Sequence, residues 1–208
     1  MKLAIFGGSG KTGQHLIQQA LEAGADVTVL ARTPSKVTVE HPRLRVVQGT
    51  VLDAEPVEEV IRGADAVISV LGPSSNKPEF TISRGMDGIL KAMKKHGVRH
   101  IIISAGAGVR DPQDRPKLVD RFFGLLLNVF SKNVVADMKQ AVSLIQASDR
   151  DWTVVRVPML TDDPRRGSLK IGYVGDISPR LSRADMAAFI LDQVNNPAYL
   201  RKSPAISN

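Results

Sequence analysis

Seven residues, Gly7-Gly8-Ser9-Gly10-Lys11-Thr12-Gly13, directly follow the apolar run Lys2–Phe6. They precede a helical pattern in which Leu16, Ile17, Ala20 and Leu21 share one face. Glycines at 7, 10 and 13 permit a tight turn, close approach of backbone amides to an anion, and close packing of helix on strand. The helix amino terminus adds unpaired N–H groups and partial positive charge, so the loop reads as a seat for a diphosphate. Two other readings compete. Gly10-Lys11-Thr12 copies the end of an ATP-binding P-loop, but Ile5 stands where that motif needs its first glycine. A glycine-rich turn without a ligand is the plainer alternative. The strand before and the amphipathic helix after favour a dinucleotide.

The residue ending the second strand of such a unit reads the adenosine ribose. An acidic side chain there accepts a hydrogen bond from the 2′-hydroxyl of NAD. This chain instead has Leu30-Ala31-Arg32-Thr33-Pro34-Ser35-Lys36. Arg32 offers a planar fork to a 2′-phosphate and Lys36 a second charge, which predicts NADP(H).

The elements that must position these residues are legible as a rhythm. Strand candidates are Lys2–Phe6, Asp26–Ala31, Leu44–Gln48, Ala66–Leu71, His100–Ser104 and Trp152–Val157. Most are continuous apolar runs, as in strands buried on both faces. Between them lie helical patterns, among them one with Ile82, Met86, Ile89, Leu90 and Met93 on a single face. Ser182 and Asp185 have the spacing of a capping box ahead of Met186, Phe189 and Ile190. The alternation predicts an α/β fold: a Rossmann-like, doubly wound parallel sheet in three layers, forming a single domain over residues 1–208. Residues 105–135, including the greasy stretch 119–130, read as a bent core helix or a lid over the strand ends. Residues 161–178 read as a second flap, punctuated by Pro164, Gly167, Gly172 and Gly175.

The chain has 208 residues and no cysteine, which excludes disulfides, thiolate zinc sites and a cysteine nucleophile. Its longest apolar stretch is far too short for a membrane span, and its first residues do not have the form of a signal peptide, so the expected location is the cytoplasm. The formal net charge of +7 implies affinity for anions. A basic stripe, Lys91, Lys94, Lys95 and Arg99, has no aromatic platform, which argues against nucleic acid as a partner. His15, His41, His96 and His100 are scattered, and no metal site is expected.

The run Ala4–Gly13 with Val27-Thr28-Val29-Leu30-Ala31-Arg32 resembles atypical short-chain dehydrogenases of the NAD(P)H-binding, NmrA-like group, in particular its flavin and biliverdin reductase branch. Further matches are Asp65–Gly72, Ala92–Val98 and Trp152–Pro158, so the likeness spans residues 2 to 195. The resemblance implies that Gly7, Ser9, Gly10, Lys11 and Thr12 hold the diphosphate, and that Arg32, Ser35 and Lys36 hold the 2′-phosphate. It places Thr50 and Val51 beside the adenine, Leu71 and Gly72 near the adenosine, and Ser104, Pro158 and Met159 around the nicotinamide. Thr50 stands where the group has an acid, and Met138 and Met159 stand where the branch has histidines.

Carbonyl reduction by short-chain dehydrogenases uses a Tyr and a Lys four residues apart, which give a proton to the alkoxide. Tyr173 and Tyr199 have Ile177 and Ser203 in the lysine place, and Lys139 has Val135 in the tyrosine place. A conjugated acceptor avoids the need, because hydride there makes a delocalised anion that water can protonate. The expected activity is therefore NADPH-dependent reduction of a flat aromatic or tetrapyrrole acceptor such as a flavin, a biliverdin-like molecule or a quinone. Ser104 and Lys139 are the catalytic candidates, with Met138, Met159 and Phe122 or Phe123 lining an apolar slot. The alternative is a redox sensor or assembly factor that binds NADP(H) without turnover. A monomer or weak dimer is expected.

Overall fold

The apolar runs become strands because both faces of the sheet are covered. The computed structural model describes residues 1–73, 76–106, 108–118 and 131–208. In chain order it has β1 (Lys2–Phe6), α1 (Lys11–Glu22), β2 (Asp26–Ala31), β3 (Leu44–Gln48), α2 (Ala54–Ile61), β4 (Ala66–Ser69) and α3 (Thr81–Lys95). Then come β5 (His100–Gly106), α4 (Lys132–Ala147), β6 (Asp151–Val157), β7 (Met159–Thr161), β8 (Lys170–Gly172), β9 (Arg180–Ser182), α5 (Arg183–Asn195) and β10 (Ala205–Ser207). The main sheet has the order β3-β2-β1-β4-β5-β6-β10-β8. It is parallel from β3 through β6 to β10, and only β8 runs antiparallel, at the edge. The chain thus forms the expected three-layered, doubly wound sheet.

Alternation along β1 shows how the layers share residues. Ala4 and Phe6 join a core with α2, α3 and α4 on one face, while Leu3 and Ile5 join α1 and α5 on the other. Residues Leu3 to Phe6 are no more than 1% exposed. The expected apolar faces of α1 and α3 are the buried ones, with Leu90 half-buried at the margin.

Several local expectations are corrected. The fourth strand ends at Ser69 rather than Leu71, and the fifth runs on to Gly106. Ser182 is the N-cap of α5, yet it forms no capping box with Asp185. The Ser182 hydroxyl donates to the Asp163 carbonyl (2.8 Å), and the Asp185 carboxylate accepts the N–H groups of Arg166 (2.8 Å) and Gly167 (2.9 Å). A tertiary partner has outcompeted the local one. The segment read as a flap, 161–178, is accordingly tied down at residues 163–167 and contributes β8 to the main sheet. Residues 119–130, the apolar part of the expected lid, lie outside the described residues, as do Phe122 and Phe123.

One buried ion pair gathers the loops at the strand ends. Arg156 in β6 is 0% exposed; its guanidinium donates to Asp114 (2.7 Å), to the Val109 carbonyl and to the Ser203 carbonyl. Asp114 also accepts the N–H groups of Asp111 and Val174, and the Tyr173 ring lies 5.9 Å from the guanidinium carbon. Burial pushes the Asp114 carboxyl up, but the Arg156 hydrogen bond, the two backbone N–H donors and the Arg156 charge outweigh it and hold it below its ordinary value.

Replacing Asp114 with Ala leaves a buried guanidinium uncompensated and is expected to cost about 3–5 kcal/mol, read from urea unfolding. Because the folded carboxyl titrates low, its contribution is present above its unfolded value and is lost as pH falls through the folded one. Asp114→Asn is therefore expected to flatten the acid side of the stability–pH curve.

Candidate functional site

At the end of β1 the chain can turn only because two side chains are missing. Gly7 has φ of +86°, and a Cβ there would stand 2.7 Å from the Val70 carbonyl oxygen after β4. A Cβ on Gly13 would stand 2.3 Å from the Gly7 carbonyl oxygen, so loop and helix touch directly. Gly10 caps α1 in an extended conformation, with no side-chain cap and no acidic residue in the first turn. Intrahelical bonding begins with the Gln14 N–H to the Gly10 carbonyl (3.0 Å), which leaves the amides of residues 11–13 without a helical acceptor. They face a cleft of about 730 Å³.

The cleft collects most of the residues singled out from the sequence. Gly7, Ser9, Gly10, Lys11 and Thr12 form its floor, Arg32 its rim, and Thr50, Val51, Leu71, Gly72 and Ser104 its walls. Thr50 stands where an acid was expected, but its N–H donates to Asp53 (2.8 Å), and its hydroxyl accepts the Leu52 N–H. The Thr50 backbone and then its side chain hold the Asp53 carboxyl below the usual range. No described residue pairs with the exposed Arg32 guanidinium. The turn beyond it is pinned by Gln14, whose side chain donates to the Lys36 carbonyl (2.6 Å).

Five expected site residues fall outside the cleft lining. Ser35 and Lys36 are exposed on the turn past Arg32. Pro158 and Met159 leave the site because β7 pairs with β9, setting Met159 against Arg180 and leaving it 58% exposed. Lys139 is exposed on α4, which turns Asn133, Val134, Asp137 and Met138 to the cleft instead. Met138 lies in the expected slot, and Met159 does not.

Other lining residues went unread in the sequence. Asp137 is buried and accepts the N–H groups of Ile82 (3.0 Å) and Ser83 (2.7 Å), standing in for the cap that α3 lacks. Its signal was an acid on the apolar side of a helix. Leu160, Arg183 and Met186 arrive from β7 and α5. Among the described residues no group of three His, Asp or Glu side chains is placed to hold a metal, and no helix is long and apolar enough to cross a membrane. In the basic stripe, Lys91, Lys95 and Arg99 are paired with Asp87, Glu58 and Asp151.

A family model described as NAD(P)H-binding matches residues 7–197. The chain belongs to the NAD(P)H-binding family. Among curated relatives, the oxidoreductase aflX of Aspergillus parasiticus is 27% identical over 185 residues, 80% of this chain and 68% of that one. A short-chain dehydrogenase/reductase from Veillonella parvula, solved in complex with NADP, has a TM-score of 0.83 at 18% identity, covering 100% of this chain and 94% of its own. ChuY, an anaerobillin reductase from Escherichia coli O157:H7, has a TM-score of 0.79 at 21% identity, covering 100% and 97%. These two structures share the fold. The free amides at the start of α1, and the glycine cradle that a Cβ would fill, fit the diphosphate of the family's cofactor.

Gly13→Ala sets a methyl against backbone, with no flexible side chain able to yield. Dinucleotide binding is expected to weaken by at least about tenfold in calorimetric titration, with about 1–3 kcal/mol of stability lost to overpacking.

Proposed function

We propose that the protein is an NADPH-dependent reductase of flat conjugated acceptors: flavins, biliverdin-like tetrapyrroles or quinones. The observation that carries this reading is the wall facing the strand ends. Val134 and Met138 from α4, with Val157, Leu160 and Met186, give the cleft an apolar part of its lining, and the half-buried Ser104 lines it too. A planar guest stacks against such a lining with little to desolvate, and proximity does the rest. When bound, the reduced nicotinamide supplies hydride.

The chain's own residues then have limited tasks. The glycine loop and Arg32 hold the two phosphate groups, and Ser104 offers a hydroxyl to orient the nicotinamide or its guest. The apolar wall excludes water from one side. No tyrosine–lysine pair with the dehydrogenase spacing exists, since Val135 precedes Lys139 by four residues and Lys139 lies off the cleft. A delocalised product anion takes its proton from solvent, so Lys139 has no part in this proposal. The aflX and ChuY likenesses support a reductase, and Arg32, which no described residue pairs with, supports NADPH over NADH.

The test is NADPH oxidation followed with FMN, biliverdin and a quinone in turn. Turnover with at least one is expected, and turnover with none, despite tight NADPH binding, leaves the sensor reading. Arg32→Ala is expected to weaken NADPH by about 1.5–3 kcal/mol, roughly 10- to 150-fold, while NADH affinity stays the same. A native preference for NADH would overturn the assignment of Arg32.

A further inference from the structure

Three elements far apart in sequence meet at the mouth of the cleft. Lys11 opens α1, Arg183 opens α5, and Asp162 follows β7 on the segment that crosses between them. The Lys11 ammonium lies 2.6 Å from one Asp162 carboxylate oxygen, and the Arg183 guanidinium lies 2.5 Å from the other. Both cations line the cleft, whereas Asp162 lies outside its lining. The two helices run side by side, with the Gln19 side chain donating to the Ala184 carbonyl (3.0 Å). The residues that open α1 and α5 are joined through the one carboxylate, and each presents a cation to it.

A carboxylate shared between two cations at a helix start is the arrangement a phosphate group would adopt. It is held in place from behind. Asp185 and Ser182 of the α5 start bind the backbone of residues 163–167, which fixes the segment on α5 and leaves Asp162 extended toward the glycine loop. The Lys11 hydrogen bond, together with the Arg183 charge, keeps the Asp162 carboxyl below its ordinary range, so it is an anion at neutral pH. The Lys11 half of the bridge is also cheap to break, while Arg183, whose side chain is 20% exposed, is the more firmly held of the two. Lys11 and Asp162 side chains are 70% and 57% exposed, and ion pairs so wet contribute little.

We propose that Asp162 is an internal stand-in for the cofactor's diphosphate: it neutralises Lys11 and Arg183 in the free protein and gives up both cations when the dinucleotide binds. This rests on the glycine loop being the diphosphate seat and adds Arg183, from the start of α5, to the groups that hold it. A diphosphate brings two charges to two cations and gains the free amides of α1 besides, so the exchange runs toward binding. The carboxylate spares the empty protein the repulsion of two neighbouring cations, and it sets a threshold that anions with only one charge do not clear.

The test compares Asp162→Asn with the wild-type protein by calorimetric titration at low and high salt. The substitution keeps the side chain's size and removes its charge. NADPH and NADH are expected to bind the variant more tightly by the same factor, about three- to tenfold at low ionic strength, fading as salt screens the charges. Adenosine 2′-monophosphate, which carries the Arg32 ligand but no diphosphate, is expected to bind both proteins alike. Asp163→Asn is the matched control, because Asp163 sits on the same segment and pairs with Thr161 and Arg166 instead. It is expected to change nothing. Unchanged or weaker dinucleotide binding by Asp162→Asn, or an equal gain for adenosine 2′-monophosphate or for Asp163→Asn, overturns the proposal while leaving the NADPH reading intact. A wild-type protein that binds neither dinucleotide overturns both.

Discussion

Everything at the site depends on the absence of atoms at two positions. With hydrogen in place of a side chain at Gly7 and Gly13, the end of β1, the start of α1 and the backbone after β4 come into direct contact. That contact sits where the sheet order reverses. From β1 the chain winds outward through β2 to β3, then crosses back to β4 and continues the other way. Helices before and after the crossing go to opposite faces, so the carboxyl ends of β1 and β4 are left uncovered, and a crevice opens there. The helix that begins in this crevice has its first amides unused. Bulk at either glycine would close the crevice from inside.

Charge is distributed to match. A net charge of +7 could have meant a basic face, but at the far end of the sheet several cations are answered by neighbouring acids, as in Arg99 with Asp151 and Lys95 with Glu58. At the cleft the pattern differs. Arg32 faces the rim with no described partner, while Lys11 and Arg183 share a single carboxylate. At these three side chains positive charge outnumbers the one carboxylate, which favours capture of a ligand with several phosphate charges.

Much of this was legible in the sequence, for a reason visible in the core. Strands covered on both faces are apolar at nearly every position, so β1, β4 and β5 appeared as near-continuous runs, and the glycine loop announced itself by following one of them. What escaped reading depends on partners distant in the chain. β10 has three residues, and it is a strand because Ala205 pairs with Arg156 on one side and with Gly172 on the other. Ser182 and Asp185 have the spacing of a capping box, but the turn of helix competes with the backbone of residues 163–167 and loses. Met138 and Met159 looked equivalent as pocket residues. Pairing of β7 with β9 turns the second one out, and no local pattern encodes that pairing.

The carboxyl-terminal segment is for the same reason tied to one end of the cleft. Arg156 lies one residue before Val157, which lines the cleft, and it bonds to Ser203, Val109 and Asp114 at once. Asp114 in turn holds Val174, and the Arg115 N–H donates to the Val174 carbonyl (2.9 Å), so the loops after β5 and after β8 are joined to each other and to the tail. A buried charge tolerates few geometries, because each lost partner leaves it unsolvated. The guanidinium therefore fixes the relative positions of three loops that no continuous element connects. A hydrophobic residue at 156 could fill the same volume, but it would impose no such geometry, and the end of the cleft beside Val157 would lose its fixed outline. Arg156 holds that outline because its preference for specific partners, more than any gain in stability, is what a binding surface made of loops needs.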